Sequence, residues 1–389
     1  MRPRHTRRRV ALAGALVALS TAAQALTAAP AGAAPAPTPR STAVRPATAS
    51  AVTDAEDRAA RGIARSLGDS AWRTSLRTAA LASDDVAVTP LAARTGHGPH
   101  SLLADADRRI AAAKGLDPKV GPLLRLRLGD RSMRAALDAG ATPWVAVADS
   151  DDAAGTVTAY DSRGRAHRLD ARRAPARPVY VVDIDSSEAL AAGLDVLREE
   201  LAKSGVRSAA PDAPLSAPAN RTAAAEGGFW TTKIDAVELS DDEEPWVKGD
   251  AEIYTLVTGF GQDGKVRVDP VDMPYLDDDG TVYRPNQILV NWSNYKYDLA
   301  DAVMMEEDGS TNYHDLAVAI AGVLLTVTDQ GAYIPLVNAV LDAIPAEWWT
   351  DDPDYVDSWY TLAQNGNGTY HGARGNGWMT VEPYFVQQF

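Results

Sequence analysis

The chain has no cysteine. That excludes a disulfide framework, a thiolate nucleophile and a lipoprotein-type lipid anchor. Histidine is scarce, at six residues. His5 falls in the leader, His97 and His100 flank a Gly/Pro loop, His167 lies in a hairpin, and His314 and His371 stand alone. Two loop histidines do not define a zinc site, and His314 beside Asp315 reads as the neighbour of a helix start rather than as a base. Neither Gly-x-Ser-x-Gly nor His-Glu-x-x-His occurs. Gly68-Asp69-Ser70 resembles a fragment of an esterase block, but it follows a helical segment and reads as a helix cap. The glycines of Asn365 to Gly368 and Gly375 to Gly377 match neither the dinucleotide fingerprint nor the Walker spacing. Beyond the leader, no segment is long and apolar enough to span a bilayer.

Residues 1–33 are the plainest part of what is present. Five arginines and no acid in the first nine residues precede an Ala/Leu/Val-rich run that ends at Ala31-Gly32-Ala33. This is the pattern of a secretory signal with a small-residue cleavage site, so the mature protein is expected outside the cell. Thr6 to Leu12 loosely resembles a twin-arginine motif, which leaves the general secretory and twin-arginine routes both open. Losing five arginines takes the net charge from −14 to −19. Such a charge repels nucleic acid and anionic membranes unless Ca²⁺ bridges.

Residues 34–50 are Ala/Pro/Thr-rich without an apolar period and read as a disordered lead-in. The remaining length exceeds one ordinary core, and the Ala/Pro-rich stretch 208–226 reads as a linker. It divides the chain into two modules, 51–207 and 227–389. Residues 34–226 hold 24 acids and 26 bases, whereas 227–389 hold 28 acids and 7 bases, with 11 of the 13 tyrosines and 7 of the 9 tryptophans.

In the first module, helices are expected from Thr53 or Asp54 to about Leu67, after Asp69 or Ser70, and over 101–114, with a short one over 132–139. Strand periods follow at 124–128, 144–147 and 179–182, with a hairpin around Asp161-Ser162-Arg163-Gly164. A last helix carries Leu190, Leu194, Leu197 and Leu201 and stops at Gly205. This is a small α+β unit. In the second module, strands are expected at 231–239 (with a bulge near Ala236), 251–258, 265–268, 281–283, 287–292 and 378–385. Helices are inserted near 315–344. The spacing is that of a mainly β, sandwich-like domain.

Ser240 to Asp250 sits between two of these strands and holds four consecutive carboxylates, Asp241 to Glu244. They repel one another and must be exposed or hold a cation. Asp241, Asp242, Glu244 and Asp250 in this loop, Asp277 and Asp279 in a second, and Asp308 after Glu306 and Glu307 in a third offer the hard oxygens that Ca²⁺ takes. The EF-hand spacing is absent, and solvated turns explain the same runs. A second series, Asp351, Asp354 and Asp357, lies among Trp348, Trp349, Tyr355, Trp359 and Tyr360. Acids beside rings suit a glycosidase or carbohydrate cleft, and equally an aromatic core edge with a capping aspartate.

Ile234 to Leu239, Glu244-Pro245-Trp246, Gly249 to Tyr254 and Asp352 to Ser358 resemble a family of secreted bacterial proteins known only as a domain of unknown function. The likeness covers about 50–389 and is sharpest from Trp230. It implies no catalytic residue. Strand, acidic loop, strand is also similar in pattern to C2-type calcium-binding sandwiches. The expectation is a secreted binding module for an extracellular protein or carbohydrate, with calcium as its cation. An extracellular hydrolase using second-module carboxylates is the alternative.

Overall fold

Alanine-rich sequence favours helix, and the first helix begins earlier than its expected caps. In a computed structural model that describes residues 47–148, 155–209, 227–240, 252–276, 278, 280–307, 311–344 and 355–387, α1 spans Ala47–Ser66. Neither Thr53 nor Asp54 caps it, and the lead-in is helical from residue 47. Asp69 does cap α2 (Ser70–Ala82), accepting from the amides of Ala71 at 2.8 Å and Trp72 at 3.2 Å. Next come β1 (Val86–Ala87), α3 (Val88–Thr95), α4 (His100–Ala113) and β2 (Leu124–Leu128). After them come α5 (Arg134–Asp138), β3 (Trp144–Val147), β4 (Thr156–Tyr160), β5 (Ala166–Asp170) and β6 (Val179–Ile184). The last element of this half is α6 (Ser186–Ser204), closed by Gly205 in the left-handed region. The six strands form one sheet ordered β1-β2-β6-β3-β4-β5. Only β3 and β6 run parallel within it.

The second half opens with β7 (Gly228–Leu239), β8 (Glu252–Phe260), β9 (Val266–Met273), β10 (Gln287–Asn291) and β11 (Leu299–Glu307). Helices α7 (Tyr313–Leu324) and α8 (Val337–Ala343) follow, then β12 (Tyr355–Ala363), β13 (Gly368–His371) and β14 (Gly377–Gln387). They build two four-stranded antiparallel sheets, β10-β7-β14-β13 and β12-β11-β8-β9. In β7 the register shifts across Asp235, next to the expected bulge. Tyr283 makes only an isolated bridge to Val237 in place of the strand expected at 281–283.

Alternation on β8 explains why that strand is buried along almost its whole length. Ile253 and Val257 join Ile234, Ala302, Met379 and Val381 in an apolar cluster drawn from both sheets. Tyr254, Leu256 and Phe260 face the other way, into a larger cluster with Leu316 and Ile320 of α7 and Leu194 and Leu197 of α6. That same cluster contains Ile63 of α1, Leu103 of α4 and Leu126 of β2. Apolar core therefore runs from the first half of the chain into the second, within the one compact unit 43–389.

Polar groups fasten the same junction. Lys114, just past α4, has its ammonium on the carboxylate of Glu307 at the end of β11, and both side chains are wholly buried. The Tyr313 hydroxyl donates to the same carboxylate. Its amide donates to the Lys114 carbonyl at 3.1 Å, and Asn312 Nδ2 donates to the Ala113 carbonyl at 2.7 Å. Gly193 of α6 gives the Tyr313 ring its room, since a Cβ there would collide with it.

Candidate functional site

All seven expected calcium ligands, Asp241, Asp242, Glu244, Asp250, Asp277, Asp279 and Asp308, lie outside the described residues, as do Asp351 and Asp354. Some of their neighbours are described. Glu306 and Glu307 belong to β11 and not to an acidic loop, and Glu307 is committed to Lys114. Asp278 accepts from the Tyr283 hydroxyl at 3.2 Å. Among the described residues no group of three or more His, Asp or Glu converges as a metal would require.

Asp357 is neither a helix cap nor an accessible acid. It sits in β12, completely buried. One carboxylate oxygen accepts from the amides of Ser358 (2.8 Å) and Arg374 (2.7 Å). The other accepts from Asn376 and Gly377, both at 2.9 Å. Four backbone donors leave no lone pair for a substrate, so this carboxylate shapes the turn between β13 and β14. Gly372 is required there because any Cβ would collide with the Asp357 carboxylate.

An open pocket of about 680 Å³ lies where the β8–β9 turn meets the ends of α6 and α7. Its polar lining includes Asp263, Lys265, Lys296, Thr328 and Asp329. Asp329 takes an ion pair from Lys296, a hydrogen bond from the Tyr297 hydroxyl and another from the Gly331 amide at 2.9 Å. Lys296, then Tyr297 and Gly331, hold its carboxyl down at about 2. Burial pushes Asp263 up, but the Lys265 amide and the Arg207 guanidinium outweigh it and leave Asp263 below its ordinary value. A hydrolytic pair needs one carboxyl held protonated near neutral pH while the other is ionised. Both acids here are held ionised. The pocket therefore lacks a general acid among its carboxyls.

The outer face of β10-β7-β14-β13 differs in character. The odd residues Met379 and Val381 of β14 point into the shared core, which turns Trp378, Thr380, Glu382 and Tyr384 outward. Trp378 Nε1 donates to Glu238 Oε2 at 3.0 Å, which pins the indole to β7. Glu382 pairs with Lys233 at 2.7 Å, and the Lys233 ammonium lies 5.4 Å from the Tyr384 ring centroid. The Glu382 hydrogen bond raises the Lys233 pKa, so the ammonium stays charged. On β13, Thr369 shares a hydrogen bond with Thr380 at 2.9 Å, and His371 pairs across to Trp378. Thr369, His371 and Tyr384 are exposed, and none of these outward residues belongs to an apolar cluster. The two rings stand six positions apart on one strand, roughly 20 Å at about 3.3 Å per residue.

The family model described as a protein of unknown function (DUF3103) matches residues 61–389. The chain belongs to this family. No curated protein and no solved structure matches it. Membership joins both halves of the chain in one family unit and assigns no chemistry to either. The outward face was within reach of the sequence, because 378–385 alternates as a strand. Which side of that strand is inward follows only from Met379 and Val381 packing on the second sheet.

Proposed function

We propose that this protein is an exported binding module that holds an extended carbohydrate chain across the outer face of β10-β7-β14-β13. In this reading the two second-half sheets form a β-sandwich with one face committed to helices and the other open to ligand. The observation that carries the reading is the pair of outward rings, Trp378 and Tyr384, each held by a polar neighbour and separated by Thr380 and Glu382. Rings fixed in advance stack on the apolar faces of sugars at little cost in side-chain entropy. Glu238, Lys233, Glu382 and His371 offer donors and acceptors to hydroxyl groups. The arginine-rich leader with its Ala-Gly-Ala site supports export. The hydrolase alternative draws nothing from Asp357 or from the pocket acids.

The test is retention on, and titration with, a panel of neutral polysaccharides, comparing the native chain with Trp378→Ala and Tyr384→Ala. Each ring is expected to contribute about tenfold in affinity, equivalent to about 1.4 kcal/mol. Variants that stay folded and bind every polysaccharide as the native chain does would overturn the reading. Repeating the titration with chelator and with calcium tests whether the acidic loops add a cation to the module. A stability gain specific to calcium supports that addition, and equal melting with and without it removes it.

A further inference from the structure

The edge strand β5 and its flanks hold an unusual concentration of positive charge for an acidic protein. Arg163, Arg165, Arg168, Arg172, Arg173 and Arg177 are all exposed, and they fall within fifteen consecutive residues. Only Arg165 is ion-paired among the described residues, to Asp161 at 3.0 Å. Asp161 is itself consumed by the amides of Arg163 and Arg165 and by His167 Nε2. Asp170 is the only other acid between residues 155 and 177.

The patch is built rather than loose. Trp144 stacks with the His167 ring at 4.1 Å and 16°, and the Arg177 guanidinium lies 4.0 Å from the Trp144 centroid. Arg65 of α1 packs over Gly164, whose φ of +73° completes the hairpin turn. Among the described residues β5 pairs only with β4. Its exposed side chains are Ala166, Arg168 and Asp170, and His167 and Leu169 are half-buried.

We propose that the exposed arginines on and flanking β5 bind a single phosphodiester chain, at a site independent of the carbohydrate-binding face. Guanidinium groups grip phosphate oxygens in bidentate fashion. Of the six arginines Arg168 alone lies on β5; Arg163 and Arg165 precede the strand and Arg172, Arg173 and Arg177 follow it. The net charge, −14 for the whole chain and −19 without the five leader arginines, repels nucleic acid at long range but does not prevent this binding. At physiological salt the field is screened within about 8 Å, so the local patch governs contact.

The experiment measures binding of the full chain to a fluorescent single-stranded DNA oligomer and to a purified glycerol-phosphate polymer over a salt series, with polygalacturonate as the carboxylate comparison. The expected result is affinity for a phosphate polymer that weakens steeply with salt and drops at least tenfold in the Arg163→Gln/Arg168→Gln/Arg172→Gln/Arg173→Gln variant. An equal change of charge at Arg94, Arg108, Arg109 and Arg131 is expected to leave it within about twofold. Binding of the glycerol-phosphate polymer alone identifies the source as a bare phosphodiester backbone, and binding of both identifies the backbone regardless of bases. No binding of either phosphate polymer, tighter binding of polygalacturonate, or equal loss in both quadruple variants would overturn the proposal. All eight arginines are exposed, so both variants are expected to fold.

Discussion

Asp357 and Asp329 show one side chain type used in two ways. Asp357 is a buried acceptor for four amides, and Asp357→Asn would aim an NH₂ group at backbone donors. A loss of about 2–4 kcal/mol in urea unfolding is expected, as for a buried polar group left without its partner. Asp329 instead answers to pH. Its folded-state value, about 2, lies below that of an unfolded aspartate, near 3.9. Its stabilising share is therefore full above about pH 4 and lost as pH falls through about 2. Acid unfolding of Asp329→Asn should accordingly depend less steeply on pH over that window than the native chain does. An identical acid profile would show that Lys296 and Tyr297 do not favour the ionised form.

Two glycines in neighbouring helices make opposite predictions about the α6–α7 crossing. Gly193→Ala forces a methyl group against the Tyr313 ring, and a loss of about 1–3 kcal/mol is expected from overpacking. Gly322 lies on α7 with open space where its Cβ would be. Gly322→Ala should stabilise by about 0.5–1 kcal/mol, because alanine is the better helix former. Equal effects of the two in thermal melts would mean that the helices do not meet as described. How much of each element was legible follows the same physics. The Asp69 cap, the Asp161 hairpin, the Gly205 stop and the β14 alternation are local signals, and each was readable. β11 was not, because it is buried on both faces and ends in Glu306-Glu307, which reads as an acidic turn until Lys114, 193 residues away, is found beside it. β12 was missed because Asp357 looks like a cap or a catalytic acid, and three of its four amide partners lie seventeen to twenty residues further on. The arginine edge was legible in composition and passed over, because the near balance of charge across residues 34–226 concealed its local excess.

At the scale of the molecule, the core that runs from α1 and β2 to β8 and α7 predicts that the halves do not melt apart. Amides of β6 and of β11 should reach the same limiting protection in native-state hydrogen exchange. Distinct limits would restore two independent modules separated at 208–226. The Lys114–Glu307 pair sharpens this expectation. Lys114→Met leaves a buried carboxylate uncompensated, and a cost of about 3–5 kcal/mol should lower protection in β6 and β11 together.

The position of β14 has a consequence for biosynthesis. Strand β14 lies inside its sheet, between β7 and β13, and is not added at a rim. Until residues 377–387 leave the ribosome, β7 waits with an unfilled side and β13 has no neighbour. The second half can therefore finish folding only after residues 377–387 have been delivered. A chain cut short by even one strand would be marked for proteolysis by its exposed backbone.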